Sequence, residues 1–330
     1  MRFLTTAVLA ALCSLALGAG PAKADAPPAH ETLEEAWWTG PLLAPSAGTL
    51  PQGHMLIEPY LYDALPYAHV DGHGGEHGLP HQNDFGSLTY INYGLADRLT
   101  VGMIPRFGYV EESGGKSSSG IGFGDLSLQA QYRLTQFRPG SWVPTVSVNV
   151  QETLPTGRYE RLKTANDGFG TGADTTTLSL YAQTFFWTPN GRILRTRLDL
   201  SYARSDGVGV KDLSVYGTSA GFRGHAQPGD SVFGDLAFEY SATRHWVLAL
   251  DLWGEQDGRT RLSGAYPALG AAPASQVRSQ GPIARALYVA PAVEYNFNSS
   301  VGVIFGARVL AAGRNETAAV VPVVALNYVR

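Results

Sequence analysis

Between Gly122 and Leu134 the chain reads GFGDLSLQAQYRL, in which Asp125, Ser127, Gln129, Gln131 and Arg133 alternate with Leu126, Leu128, Ala130, Tyr132 and Leu134. A period of two sustained over a dozen residues predicts an extended strand with one wet and one dry face. The pattern recurs along the chain, predicting twelve strands at 54–62, 85–95, 98–109, 123–134, 142–153, 175–187, 193–204, 231–242, 245–255, 284–297, 300–312 and 317–329. In the seventh, Leu194, Leu198, Leu200 and Tyr202 share one face, and Arg195, Arg197, Asp199 and Ser201 share the other. Most of these strands have the length a tilted strand needs to cross a hydrocarbon core about 30 Å thick. Only a closed barrel crosses lipid with strands, because an open sheet edge would leave backbone groups unbonded there.

The connections carry a second signal. Links at 96–97, 135–141, 188–192, 243–244 and 298–299 are short, whereas those at 63–84, 110–122, 154–174, 205–230 and 256–283 are long. Short turns on one rim and long loops on the other predict an outer-membrane barrel with both termini on the periplasmic side. The link at 313–316 departs from the rule by being a short external loop, and 213–222 reads either as a loop hairpin or as an extra strand. Tyr60, Tyr62, Phe185 to Trp187, Trp246, Tyr295 and Phe297 sit near strand ends, as interfacial aromatic girdles do. A soluble sandwich or propeller also alternates, but its strands are usually about five or six residues long, and no 40-residue repeat is present.

Composition agrees with a membrane barrel. Residues 1–24 read as a signal peptide: Arg2, an apolar run from Leu4 to Leu17, then Ala22-Lys23-Ala24 as the cleavage site. The sole cysteine, Cys13, lies inside it, so the mature chain is expected to carry neither disulfides nor thiol chemistry. Only 16% of residues are charged, while Gly numbers 39 and Tyr 16. Beyond the signal, 22 basic residues face 28 acidic ones, which excludes nucleic acid as a partner.

Three segments, GPLLAPSAGTLPQGHMLIEPYLYD at 40–63, GIGFGDLSLQAQYRL at 120–134 and LPTGRYE at 154–160, resemble the meta-pathway phenol-degradation family of bacterial outer-membrane proteins. The resemblance covers roughly residues 40–330. It implies a monomeric barrel of about twelve strands acting as a transporter, in some members encoded beside aromatic-degradation genes. It supplies no solute. The chain ends in NYVR, with Arg330 in place of the terminal aromatic that the barrel assembly machinery usually reads.

Twelve strands about 4.8 Å apart and tilted about 40° close into a backbone cylinder roughly 24 Å across. The alternation points Arg106, Arg133, Arg195 and Arg197 inward from the third, fourth and seventh strands, and Asp235, Glu239, Asp251, Glu255 and Glu294 from the eighth to the tenth. Basic and acidic groups on different arcs predict a transverse field at a constriction; the alternative is that they pair and fill the lumen. Residues 25–53 precede the first strand, with Trp37 and Trp38 among prolines and glycines, and are expected either to plug the periplasmic mouth or to hang free. In the first loop, His69, His73, His77 and His81 fall every fourth residue among Asp71, Glu76 and Asp84. Imidazole and carboxylate suit zinc, nickel or copper, although the intervening glycines oppose a helix that would align them.

No pair of His and Ser two apart on a strand supports a barrel lipase, and GFGTG near Thr171 lies in a long loop rather than between a strand and a helix. The expectation is therefore an all-β protein: signal peptide 1–24, N-terminal segment 25–53, and a twelve-stranded antiparallel barrel at 54–330 in the outer membrane of a Gram-negative bacterium. It is expected to be a monomer without cofactor or enzymatic activity, with lipid, a small-molecule solute and the barrel assembly machinery as partners. Its expected function is passive uptake of small solutes, aromatic or hydrophobic compounds among them. The competing expectation is a structural or surface-binding barrel with a closed lumen, binding metal through the His-rich loop.

Overall fold

The computed structural model describes residues 30–268 and 274–330; the signal peptide lies outside the described residues. Twelve long antiparallel strands form the barrel: β1 Met55–Val70, β2 Gln82–Ala96, β3 Leu99–Ile104 continuing as Arg106–Glu112, β4 Leu126–Thr135, β5 Thr145–Leu154 and β6 Thr175–Trp187. The second half comprises β7 Ile193–Ser205, β8 Ser231–Ser241, β9 Trp246–Asp257, β10 Ala284–Asn296, β11 Val301–Arg314 and β12 Glu316–Val329. Each strand pairs with the next, and β1 pairs with both β2 (Met55 opposite Tyr93) and β12 (Leu56 opposite Val329), so the sheet closes on itself. Closure leaves no unpaired edge, which is what lets strands stand in lipid.

The alternation sorts side chains as expected. On β4, Leu128 and Leu134 face outward, 43% and 48% exposed, while inward Ser127 is fully buried. On β7, Leu198 and Leu200 face lipid, and Arg195, Arg197, Asp199 and Ser201 are buried in the interior. Such an apolar outer band around a polar interior places the barrel in the outer membrane.

The strand ends differ from the sequence reading for local reasons. β1 runs eight residues further than expected, to Val70, because it continues pairing with Val320 to Glu316 of β12 and with the short strand Glu76–Gly78. The first loop therefore shrinks to 71–81. β3 is interrupted at Pro105, which has no N–H to give the ladder. β4 starts at Leu126 rather than Phe123, since Gly122–Phe123 forms a separate bridge to β3. β11 and β12 meet at a single residue, Asn315, whose φ of 53° is left-handed, a conformation Asn tolerates.

The long loops have structure that alternation did not reveal. Val208–Lys211, Arg223–Gln227, Arg261–Tyr266 and Ser275–Gln280 make a separate four-stranded antiparallel sheet. Its core is Val208, Val210, Phe222, Ala226 and Leu262, with Ala173 from the 154–174 loop. The stretch 213–222 is turn and bend, not a thirteenth barrel strand. The loop 154–174 is tied down by Asp125, whose carboxylate accepts from the N–H of Gly157 at 2.8 Å, the N–H of Thr171 at 2.7 Å and the Thr171 hydroxyl at 3.0 Å. The GFGDL, PTGR and FGTG stretches thus meet at one buried carboxylate.

Candidate functional site

The lumen is built from the inward faces of the strands and from residues 36–50, which lie inside the ring, with 30–35 and 51–54 at its rim. At the short-turn rim, Glu31 accepts from Arg192 at 3.1 Å, and its carbonyl accepts from the Trp187 indole at 2.7 Å. Nearby, Thr32 donates its backbone N–H and hydroxyl to Glu35, holding that exposed carboxyl below its usual pKa. The segment then climbs. Thr39 donates its N–H to Glu294 at 2.7 Å and its hydroxyl to Asn296 at 3.0 Å. At the crest, Asp251 accepts from Leu42 at 3.0 Å, Leu43 at 3.3 Å and Ala44 at 3.1 Å, while the Ala44 carbonyl accepts from Arg197 at 2.9 Å. The chain crosses the lumen and descends the opposite wall, where Gln131 donates to Ser46 O at 2.9 Å and Leu50 N–H donates to Thr100 Oγ1 at 2.9 Å. It returns to the rim with Gly53 N–H on Gly94 O at 2.9 Å and enters β1.

This course suits the residues. A segment of prolines and glycines cannot satisfy its own backbone, so inward carboxylates, amides and hydroxyls do it instead. Leu42 packs against Tyr60, Ala249, Ala290, Ala292, Ile304 and Ala325, where small side chains on β9 to β12 make room.

The inward charges separate into groups. Arg195 and Glu239 are direct cross-strand partners on β7 and β8. Glu239 is fully buried and accepts from Arg195 Nε at 2.6 Å and Arg197 Nε at 2.9 Å, with a further contact from Arg195 Nη2. Arg195 also lies 4.4 Å over the Trp38 ring. Acidic and basic arcs are therefore adjacent and paired here rather than set across the lumen, because β7 and β8 are neighbours. Asp251 and Glu294 serve the N-terminal segment, although among the described residues Glu294 Oε1 has no hydrogen-bond partner. Asp235 is buried and, among the described residues, neither of its carboxylate oxygens has a hydrogen-bond partner. Glu255 takes the Trp253 indole N–H at 2.8 Å near the outer end of β9, and Arg133 stands near the inner end of β4. Arg106 faces open space.

That space is a cavity of about 580 Å³ above the crest. Its walls include Tyr60, Tyr90, Arg106, Tyr181, Phe233 and Trp253, and its floor is formed by Trp38 to Leu50. The contribution of the N-terminal backbone to this floor had no sequence signal beyond the paired tryptophans, since its partners are about 200 residues away in the chain.

The His-rich stretch is not drawn together. His69 on β1 pairs in register with His77, which approaches Asp71 at 3.0 Å, while His73 and His81 lie in the loop. Asp71 is held below its usual pKa by the His77 ring and by the N–H groups of Gly75 and His73. Among the described residues, the group that brings three acidic or imidazole ligands within metal-binding reach is Glu255, Asp257 and Glu316, not the histidines.

A family model described as "Putative MetA-pathway of phenol degradation" matches residues 60–320. Among solved structures, the chain is similar to an outer membrane channel from Pseudomonas putida F1, at 17% identity and a TM-score of 0.66 over 87% of this chain and 100% of that one. That likeness shows the fold. It is also similar to the β domain of the Bordetella autotransporter BrkA, at 12% identity over 84% and 99% of the chains, and to a mutant of the TodX monoaromatic hydrocarbon channel, at 13% over 84% and 91%. Both have a TM-score of 0.44. A search of curated proteins finds no match.

Proposed function

This chain belongs to the family described as "Putative MetA-pathway of phenol degradation", and on that premise we propose that it is a passive outer-membrane channel for small solutes, aromatic or hydrophobic compounds among them. The observation that carries the reading is the cavity of about 580 Å³ within a closed barrel, with tyrosines, Phe233 and Trp253 in its walls beside amides and hydroxyls. Mixed walls of this kind accept a ring while giving its polar substituent a partner. In this reading the N-terminal segment is the gate. It occupies the periplasmic half, and its crest is held by hydrogen bonds to Asp251 and Arg197 beside the apolar packing of Leu42. The protein works as a monomer delivered by the barrel assembly machinery.

Planar-bilayer recording tests both parts. The full-length mature protein is expected to show small conductance steps, and a variant lacking residues 25–45 larger ones. Silence from both would leave the competing reading, a surface barrel with a shut lumen.

A further inference from the structure

The cavity also points to the class of solute, an inference that rests on the channel reading. Arg106 stands on β3 directly after the Pro105 break, and it faces the lumen while its neighbour Phe107 is 43% exposed on the outer wall. The two arginines below it, Arg195 and Arg197, are taken by Glu239. Among the described residues Arg106 has no carboxylate within ion-pair distance and its guanidinium makes no hydrogen bond. The hydroxyl of Tyr90, on the adjoining strand, is likewise unbonded and lines the same cavity. Arg106 is registered opposite Leu88, so Tyr90 is its diagonal neighbour on the inward face.

The far wall is aromatic. Phe233 and Trp253 stack with ring centroids 4.9 Å apart and planes at 19°. β9 is six strands around a ring of twelve from β3, so Trp253 looks across the lumen at Arg106. Both lie at the same height: Arg106 is seven residues above Leu99, where β3 begins, and Trp253 seven above Trp246, where β9 begins. Taking the two side chains from a cylinder roughly 24 Å across leaves a gap on the order of 10 Å, room for one ring bearing a short acidic group.

We propose that this cavity binds aromatic carboxylates, with the carboxylate on Arg106 and the Tyr90 hydroxyl and the ring against Phe233 and Trp253. A guanidinium offers a forked set of donors matched to a carboxylate. A purely apolar ring would displace its water and give nothing back, a penalty that discriminates strongly against such a solute. The acids on the same walls do not compete for it: Glu58 is bonded by Asn327 at 3.0 Å, and Asp199 by Ser201 at 2.6 Å.

The test is calorimetric titration of the full-length mature protein in detergent with sodium benzoate, benzyl alcohol and sodium acetate, beside bilayer recording of the same preparations. Benzoate is expected to bind at least tenfold tighter than either comparator. Arg106→Gln should weaken benzoate at least tenfold while leaving benzyl alcohol unchanged, and Arg106→Lys should lie between. Trp253→Leu should weaken benzoate but not acetate. Retained heat-modifiability on gels certifies that each variant is folded. Equal affinity for benzoate and benzyl alcohol, or a benzoate affinity within twofold of wild type in folded Arg106→Gln, overturns the proposal. Ion conductance without benzoate selectivity removes this inference and leaves the channel; selective binding without conductance, even after deletion of 25–45, supports the ligand class and removes the channel.

Discussion

Replacing Asp251 by Asn probes what holds the N-terminal segment in the lumen. The wild-type carboxylate accepts three backbone N–H groups, from Leu42 on Oδ2 and from Leu43 and Ala44 on Oδ1. Asparagine keeps one acceptor oxygen, turns an NH2 group toward at least one of those donors, and removes the charge from the bonds that remain. A hydrogen bond to a charged group contributes about 1.5–3 kcal/mol net, so the crest is expected to lose on the order of 2–4 kcal/mol. At 1.4 kcal/mol per factor of ten, that raises opening of the crest about 30- to 1,000-fold. Amide hydrogen exchange read by mass spectrometry reports it directly, as faster exchange in peptides covering Leu42 to Ala44 while those from β4 to β7 are unchanged. Single-channel conductance should rise in parallel. Unaltered protection at the crest in a folded Asp251→Asn barrel would refute the claim that these bonds hold the segment.

Other expectations follow from single contacts. Glu239→Ala leaves the buried guanidiniums of Arg195 and Arg197 without their carboxylate and should cost about 3–5 kcal/mol, seen as a lowered temperature of heat-modification; an unchanged midpoint would show that the pair is not stabilising. Asp125→Ala should free the 154–174 loop, so that trypsin on intact cells cuts at Arg158, Arg161 or Lys163 faster than in wild type. Gly94→Ala would put a Cβ 2.0 Å from the Pro51 carbonyl oxygen, a backbone atom with no room to yield, and should break the bond from Gly53 and speed exchange there. For the turn at 71–77, the depressed pKa of Asp71, caused first by His77 and then by the Gly75 and His73 amides, fixes the sign. Its stabilisation is complete above the ordinary Asp value of about 3.9 and is lost only as pH falls below it through the depressed folded value. Gly75 amide protection should therefore persist at pH 5 and decline in strong acid.

The alternation made the wall legible because lipid and water enforce it residue by residue: Leu198 and Leu200 had to face out once Arg197 and Asp199 faced in. Local chemistry also marked the turn regions. What periodicity could not give was register across long loops. Arg195 and Glu239 are direct partners, but 206–230 intervenes, and no rule of spacing fixes how two strands slide past each other across such a length. The extension of β1 to Val70 was hidden by Leu65-Pro66, where polar and apolar positions stop alternating at a register shift between Pro66 and Ala68. The crest was invisible for a different reason. Its contacts are backbone amides, which every residue but proline carries, so nothing in Leu42-Leu43-Ala44 announces Asp251 as their acceptor.

The inner segment is leashed at one end by covalent chain. It passes without interruption into β1 at Met55, whose N–H bonds the carbonyl of Arg330 at the seam where first and last strands join, whereas its other end is moored to the rim through Glu31 and Arg192. A stopper built this way never diffuses off. If it gates as proposed, release would leave it joined to β1 beside Gly53, whose φ is 84°, so reclosing would be a first-order event whose rate does not depend on how many copies the membrane holds.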